Sequence, residues 1–389
     1  MESRRERLER KKKKQKRRIM FAVVIGILTV SFGILFKSII SRDNNKKDII
    51  IEDQNNNIET EEPVTIDSQE ENNDQDNIEL ILSAAGDFTL GTDTKFSYSG
   101  SFPEAVQLYG YDYSQFMKNV RDIFSNDDYT FVNLETTFTD SDVKTYKAGN
   151  VFYNFKGDKS YVNILKEGSI EGVTVDNNHI YDYGEQGIMD TLQVLSENSI
   201  DYCGRGYKAI REVKGVKIGL LGYSAWYVTE ELKNKISSDI QELRDAGCVI
   251  VIPYFHWGQE SKSYPDDTQR EIGRYAVDCG ADLVLGSHPH VIQTIEYYKD
   301  RIIAYSLGNF CFGGNSNPTD KDTFILQTYF NVRDNNIIDR TYKIIPVTVS
   351  SVDYKNDYIP TIAEGQRKSN IYSRIYNLSP SIQGIIEEN

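Results

Sequence analysis

The four histidines of this chain all fall in short motifs carrying Asn, Gly, Ser or Pro. His179 closes Asp176-Asn177-Asn178-His179. His256 lies in Tyr254-Phe255-His256-Trp257-Gly258, and His288 and His290 share Gly286-Ser287-His288-Pro289-His290. Neutral imidazole is the commonest protein metal ligand. Asp87 in Gly86-Asp87 and Glu135 in Asn133-Leu134-Glu135 add carboxylates in similar settings. A mixed Asp/Glu/Asn/His set suits Mn, Fe(II) or Zn rather than a Cys-rich structural zinc site. Two such ions, about 3.5–4 Å apart, are a common arrangement for hydrolysing phosphate esters. The pair around Pro289, in a loop that the proline stiffens, could address two neighbouring ions or one ion from two angles. A single Asp after a strand is as readily a turn residue or helix cap; the whole set is harder to read that way.

The elements that must position these residues follow a strand–loop–helix rhythm. Short apolar runs predict strands buried on both faces: Glu79–Ala85, Tyr129–Val132, Gly172–Val175, Lys217–Tyr223, Cys248–Tyr254, Ala281–Leu285 and Arg301–Ser306. Asp87, Glu135, Asn178, His179, His256, His288 and His290 each fall just past the predicted end of one of them. In open α/β sheets ligands gather outside the carboxyl ends of the strands. Helical spacing predicts helices over Gly187–Asn198, Ser237–Ala246, Asp266–Cys279 and Gly365–Asn377. Gly247 follows the second as a C′ glycine. Phe324–Phe330 and Arg340–Val349, separated by Asp334-Asn335-Asn336, predict a hairpin. The class is α/β with an added antiparallel part.

In order, Gly86-Asp87, Asn133-Leu134-Glu135, Asn177-Asn178-His179, His256-Trp257-Gly258-Gln259-Glu260, Gly286-Ser287-His288-Pro289-His290-Val291 and Tyr305-Ser306-Leu307-Gly308-Asn309-Phe310 resemble the motifs of the CapA family. These are capsule or poly-γ-glutamate synthesis proteins, similar to calcineurin-like metallophosphoesterases. The resemblance covers roughly residues 80–350 and implies a metallophosphoesterase-like layered α/β sandwich. It also implies roles. Asp87 and His290 would hold one divalent ion; Asn178, His256 and His288 would hold another; Glu135 would bridge. His179 would serve as general acid, a task suited to imidazole. Asn133 and Asn309 would position or support the site, and Trp257 would wall it. The chain departs from the wider superfamily's Asp-x-His motif, because Asp87-Phe88-Thr89 offers Thr where the second ligand would stand.

Residues 1–18 carry eleven Lys or Arg against three Glu, a local charge of +8. Ile19 to Phe36 then runs eighteen residues without a charge, long enough for a membrane-spanning helix. The expectation is a basic cytoplasmic segment (1–18), a transmembrane signal anchor (19–40) and a disordered acidic linker (41–78). The CapA-like domain (79–350) and a C-terminal extension (351–389) follow, facing outward by the positive-inside rule. A cleaved signal peptide would need a shorter apolar core and a small-residue cleavage site, and Phe36-Lys37-Ser38-Ile39-Ile40 is a poor one. Beyond residue 18 there are 33 basic and 55 acidic residues, a charge of −22. That argues against a nucleic-acid partner, since phosphate contacts need clustered Lys and Arg. Cys203, Cys248, Cys279 and Cys311 are far apart and form no CxxC motif.

Three functions remain open at this level. One is a metal-dependent hydrolase of the cell envelope, acting on a phosphoester or an amide-like bond in a surface polymer. Another is a non-catalytic subunit of a membrane polymer synthase or exporter, touching other synthase subunits and an anionic envelope polymer. The third is a surface protein with a relic site.

Overall fold

A computed structural model of the chain describes residues 77–147 and 152–388. The expected basic segment, anchor and nearly all of the linker lie outside the described residues. Among the described residues no helix is long and apolar enough to cross a membrane.

The strands, in chain order, are β1 (Ile78–Thr89), β2 (Thr92–Asp93), β3 (Tyr129–Leu134), β4 (Thr137–Phe138), β5 (Phe155–Gly157), β6 (Gly172–Thr174), β7 (Asp201–Cys203), β8 (Ala209–Val213) and β9 (Val216–Ala225). They continue as β10 (Ile250–Trp257), β11 (Val284–Ser287), β12 (Ile295–Tyr298), β13 (Arg301–Ala304), β14 (Asn309–Phe312), β15 (Asp322–Arg333), β16 (Asn336–Thr348), β17 (Thr361–Ile362) and β18 (Ile386–Glu388). The helices are α1 (Phe102–Leu108), α2 (Arg121–Ser125), α3 (Val162–Glu167), α4 (Gly184–Glu197), α5 (Glu230–Asp245), α6 (Asp267–Asp278) and α7 (Gly365–Leu378).

Two mixed sheets form the core of a mixed α/β fold. The larger has the order β17-β16-β15-β1-β3-β6-β7, with β14 also paired to β1 and β18 to β16. Its β1, β3, β6 and β7 run parallel. The second has the order β12-β13-β11-β10-β9-β8, with β9, β10, β11 and β13 parallel. Period-two alternation explains why both sheets read as continuous apolar runs. Leu80, Leu82, Tyr129 and Phe131 of one sheet pack with Ile250, Ile252, Tyr254 and Leu285 of the other. Val132 and Leu134 instead face a cluster with α1, α3 and α4. Val251, Phe255 and Trp257 face α5 and α6. The layers are therefore helix, sheet, sheet, helix.

Local signals set the boundaries. Thr229 caps α5 by accepting from Leu232 N (3.1 Å), so the helix starts at Glu230 rather than near Ser237. Its first turns are charged, which hides them from a search for an apolar face. Asp266 and Gln269 form a capping box on α6, as its acidic start suggested. Asp334 and Asn335 both take left-handed backbone (φ 53° and 57°) at the β15–β16 turn, which is what a two-residue hairpin asks for. The segment after residue 350 is built into the domain: Ile371, Tyr372, Ile375, Ile382 and Ile386 are buried in the core between the sheets. All four cysteines are free thiols.

Candidate metal centre

The same alternation that builds the core delivers the polar residues. His256 continues the series Ile250, Ile252, Tyr254 and so emerges on the face between the sheets. Asn133 likewise continues Tyr129 and Phe131. Asp87 would point the wrong way but for a bulge. Register along β1 and β3 runs Ala85 opposite Val132 and then Asp87 opposite Asn133, leaving Gly86 as the extra residue. The bulge turns Asp87 to the inter-sheet face. Only glycine fits there, because a Cβ on Gly86 would stand 1.8 Å from the Gly308 carbonyl oxygen.

Two placements differ from expectation. Asp87 and His256 lie inside β1 and β10 rather than past their ends. β1 continues by pairing with β14 through Asp87 and Thr89, and β10 stays paired with β9 as far as Trp257. Glu135 follows β3, Asn178 and His179 sit on the turn after β6, and His288 follows β11. Asn309 opens β14, opposite Asp87. The proposed site residues thus converge where parallel strands of both sheets end, with Asn309 joining them from the start of β14.

Glu135 is the hub. It is fully buried. Its Oε2 accepts from Thr89 Oγ1 (3.3 Å), so the threonine found where a ligand was expected orients the bridging candidate instead. Glu135 Oε1 has no hydrogen-bond partner. Three imidazole Nε2 atoms face it: His256 at 3.4 Å, His179 at 3.9 Å and His290 at 3.9 Å. A buried carboxylate oxygen without a donor is costly, and a cation among those nitrogens would satisfy it. Glu135, His256 and His288 offer ligand atoms within 4.8 Å of one another, and so do Asp87, Glu135 and His290. Glu135 is common to both groups, as a bridging carboxylate must be. The donors fit a divalent transition metal.

The surrounding bonds orient the donors. Asn133 Nδ2 donates to Asp87 Oδ1 (2.7 Å), and Asn133 Oδ1 accepts from Asn177 Nδ2 (3.2 Å). His256 Nε2 is 2.6 Å from Asn178 Oδ1, while its Nδ1 is 3.1 Å from Ser287 Oγ. His290 Nδ1 is 3.0 Å from Asp87 Oδ2 and 2.9 Å from Asn309 Oδ1. A carboxylate on the far nitrogen is the usual way a ligating histidine is oriented, so Asp87 also serves His290 in that capacity. His288 and His290 both have positive φ (95° and 57°). Left-handed backbone at two non-glycine residues marks a strained turn, and such strain clusters at ligand sites.

Charge follows burial. Burial pushes the Glu135 carboxyl well above its ordinary value, with Asp87 adding and His290 opposing. It holds His256 well below and lowers His288 to about 3. Burial works against protonation of His290 too, but Glu135 and Asp87 outweigh it and raise that ring to about 10. The cluster thus holds two imidazoles neutral, the ligand form.

His179 has its own support. Its Nδ1 is 2.6 Å from Asp182 Oδ2, leaving Nε2 toward the cleft. Asp182 also accepts from Phe155 N (2.6 Å) and pairs with Lys147. Phe155 stacks on the imidazole at 4.3 Å between centroids. Asp182, Lys147 and Glu260 went unassigned in the sequence. Asp182 stands three residues past the histidine with no strand to place it, and Lys147 is distant in sequence. Trp257 does not wall the site. It points opposite to His256, stacks on Phe255 at 4.5 Å and donates to Tyr305 O (2.8 Å). Trp226 does so instead, edge-on to His288 at 4.8 Å. A cleft lined by Tyr153, Phe155, Glu260, Asn309 and Phe312 opens beside His179 and His290.

The model of a family described as bacterial capsule synthesis protein PGA_cap matches residues 81–314. The chain is 30% identical to the capsule biosynthesis protein CapA of Bacillus anthracis, over 67% of this chain and 66% of that one. It is 33% identical to the PGA biosynthesis protein CapA of Bacillus subtilis, over 50% and 55%. It thus spans just under two thirds of the first relative and about half of the second. A phosphatase structure from Mycoplasma pneumoniae aligns with a TM-score of 0.42 and 14% identity, covering 69% of this chain and 94% of that one.

Proposed function

The chain belongs to the bacterial capsule synthesis protein family PGA_cap, and we propose a membrane-anchored, outward-facing protein of capsule or poly-γ-glutamate synthesis whose domain is a metal-dependent hydrolase. The observation that carries the hydrolase reading is Glu135 Oε1, a buried carboxylate oxygen with no donor and three imidazole nitrogens around it. Asp87, Glu135, Asn178, His256, His288 and His290 would hold one or two divalent ions, with Mn, Fe(II) and Zn as the candidates. Such an ion supplies Lewis-acid polarisation of a phosphoryl or carbonyl oxygen and lowers the pKa of water.

The chain's own residues supply the rest. Asp182 engages Nδ1 of His179 and favours the charged ring against the burial that lowers its pKa, so in the imidazolium Nε2 is the nitrogen that hands a proton to a leaving group in the cleft. Asn133 holds Asp87, and Asn309 holds His290. Tyr153, Phe155 and Phe312 give the cleft an aromatic wall beside that proton donor. The anchor of residues 19–40 and the basic segment before it would place this cleft outside the membrane, near synthase partners.

The relatives' names speak of synthesis, not hydrolysis. That favours a second reading: a non-catalytic accessory subunit that uses the same fold to bind polymer or partner. Turnover separates the two. The purified full chain, loaded with Mn, Fe(II) or Zn, is assayed on a generic aryl phosphate and on γ-glutamyl polymer beside His256→Ala. Metal-dependent turnover lost in the variant supports the hydrolase; bound metal without turnover on any of these substrates leaves the accessory role.

A further inference from the structure

Glu260 lies outside every role discussed so far, yet its carboxylate reaches the centre. A Glu260 oxygen and one ring nitrogen each from His288 and His290 lie within 4.8 Å of one another. Its negative charge is felt by both Glu135 and His290. One feature points to a ligand here, and a second holds Glu260 in place beside it. His288 is 8% exposed, and its Nδ1 is buried with no hydrogen-bond partner. The loop bearing Glu260 is also fastened to the histidine turn, because Ser261 N donates to Pro289 O (2.8 Å). Buried Gln293 fixes the same loop by donating to Lys262 O (2.8 Å), and is itself held by Gln269 (2.8 Å). Glu260 itself is exposed and sits on the cleft rim.

We propose that Glu260 is a third carboxylate ligand, holding a divalent metal with His288 and His290 at the mouth of the cleft. This rests on the metal-centre reading above and extends it to a residue to which that reading gives no part. It supplies a ligand where Thr89, spent on Glu135, supplies none. The distances allow it. Two donors on one ion stand at most about 4.2 Å apart, and these three atoms lie within 4.8 Å of one another, so closure asks at most about 0.6 Å, which an exposed, rotatable side chain can supply.

The test is Mn(II) titration of the metal-stripped full chain by calorimetry and by Mn(II) electron paramagnetic resonance, in wild type, Glu260→Gln and Glu271→Gln. Glu271 is a surface carboxylate paired with Lys233 and controls for the loss of one charge. The expected result is that Glu260→Gln loses one equivalent, or weakens it by at least about tenfold, while Glu271→Gln matches wild type. Equal binding by Glu260→Gln and wild type overturns the proposal, as does equal weakening in both variants. Wild type that takes up no Mn(II) overturns the metal centre itself, and the assignment of Glu260 with it.

Discussion

Asp282 and Glu135 are both buried carboxylates beside parallel strands, one just before β11 and the other just after β3. Asp282 is saturated. Its Oδ2 accepts from Val251 N (2.9 Å) and Arg244 (2.6 Å), and its Oδ1 from Arg340 (2.7 Å). Since Arg340 belongs to β16 and Val251 to β10, that one carboxylate ties the two sheets together. Glu135 has a single hydroxyl donor on one oxygen and none on the other. The pattern extends along both rims. At the N-terminal ends, Asp128 accepts from Ile81 N (2.8 Å) and pairs with Lys214 (2.7 Å), and Asp201 takes a two-pronged Arg211 (2.8 Å each). At the C-terminal ends, buried acceptors are left facing imidazoles. Buried charge that is fully paired is architecture, and buried charge left unpaired awaits a ligand.

The sharpest way to break this contrast is Glu135→Gln. Bound metal and metal-dependent turnover should fall together, on the order of a thousandfold or more in rate, given the several kcal/mol that a Lewis-acid ion supplies. The metal-free protein should be as stable as wild type or more so, by roughly 1–3 kcal/mol, because a desolvated carboxylate has gone. Urea unfolding of the stripped proteins tests the second half; a clear loss of stability would place Glu135 with the paired rim.

Asp282→Asn should do the reverse. Removing the charge strands Arg244 and Arg340, and breaking a buried ion pair costs roughly 3–5 kcal/mol. Metal content of the protein that still folds should stay at the wild-type level. A variant with normal unfolding midpoint, or one that folds but loses metal, would erase the distinction between the two rims.

Asp182 stands at the functional end yet is paired like a rim residue, to Phe155 N, Lys147 and His179. It therefore asks whether pairing can serve chemistry. As a positioning residue for His179, Asp182→Asn should lower kcat by roughly 10–100-fold with KM little changed, whereas a merely structural role would move stability and leave kcat per folded molecule intact.

How much of this was legible beforehand follows from the range of the interactions. Strand order along the chain, the four histidines, Glu135 and the convergence at strand ends are local patterns, and alternation carried them. Trp257 was misplaced because, one residue past His256, it necessarily faces the opposite side. The bulge at Gly86 depends on a backbone contact with Gly308, more than two hundred residues away, and no local pattern records it. Lys147 and Glu260 join the site through loops whose course is set by tertiary hydrogen bonds. The acids before the strands look like ordinary solvated turn residues until amides and basic side chains from other elements are brought to them.

The smallest effect concerns that same rim. Burial pushes Asp127 and Glu171 each to about 7; Asp128 adds to the rise at Asp127, and Asp127 to that at Glu171. In the unfolded chain such groups titrate near about 4. Between roughly pH 4 and 7 the folded protein therefore keeps protons that the unfolded chain has released, so stability falls as pH rises through that window and levels off above it. The stabilisation is complete below about pH 4 and lost above about pH 7. Asp127→Asn removes one titrating group and relieves the other, so its advantage over wild type should grow with pH, reaching about 1–2 kcal/mol at pH 8 after solvent screening. Urea midpoints of the metal-free proteins at successive pH values give the difference directly, free of the site histidines, which are common to both. Parallel curves would mean that Thr130, which donates to both acids through Oγ1 (2.7 Å) and N (2.8 Å), already stabilises them as anions. The N-terminal rim would then be saturated without exception, and the contrast with Glu135 sharper still.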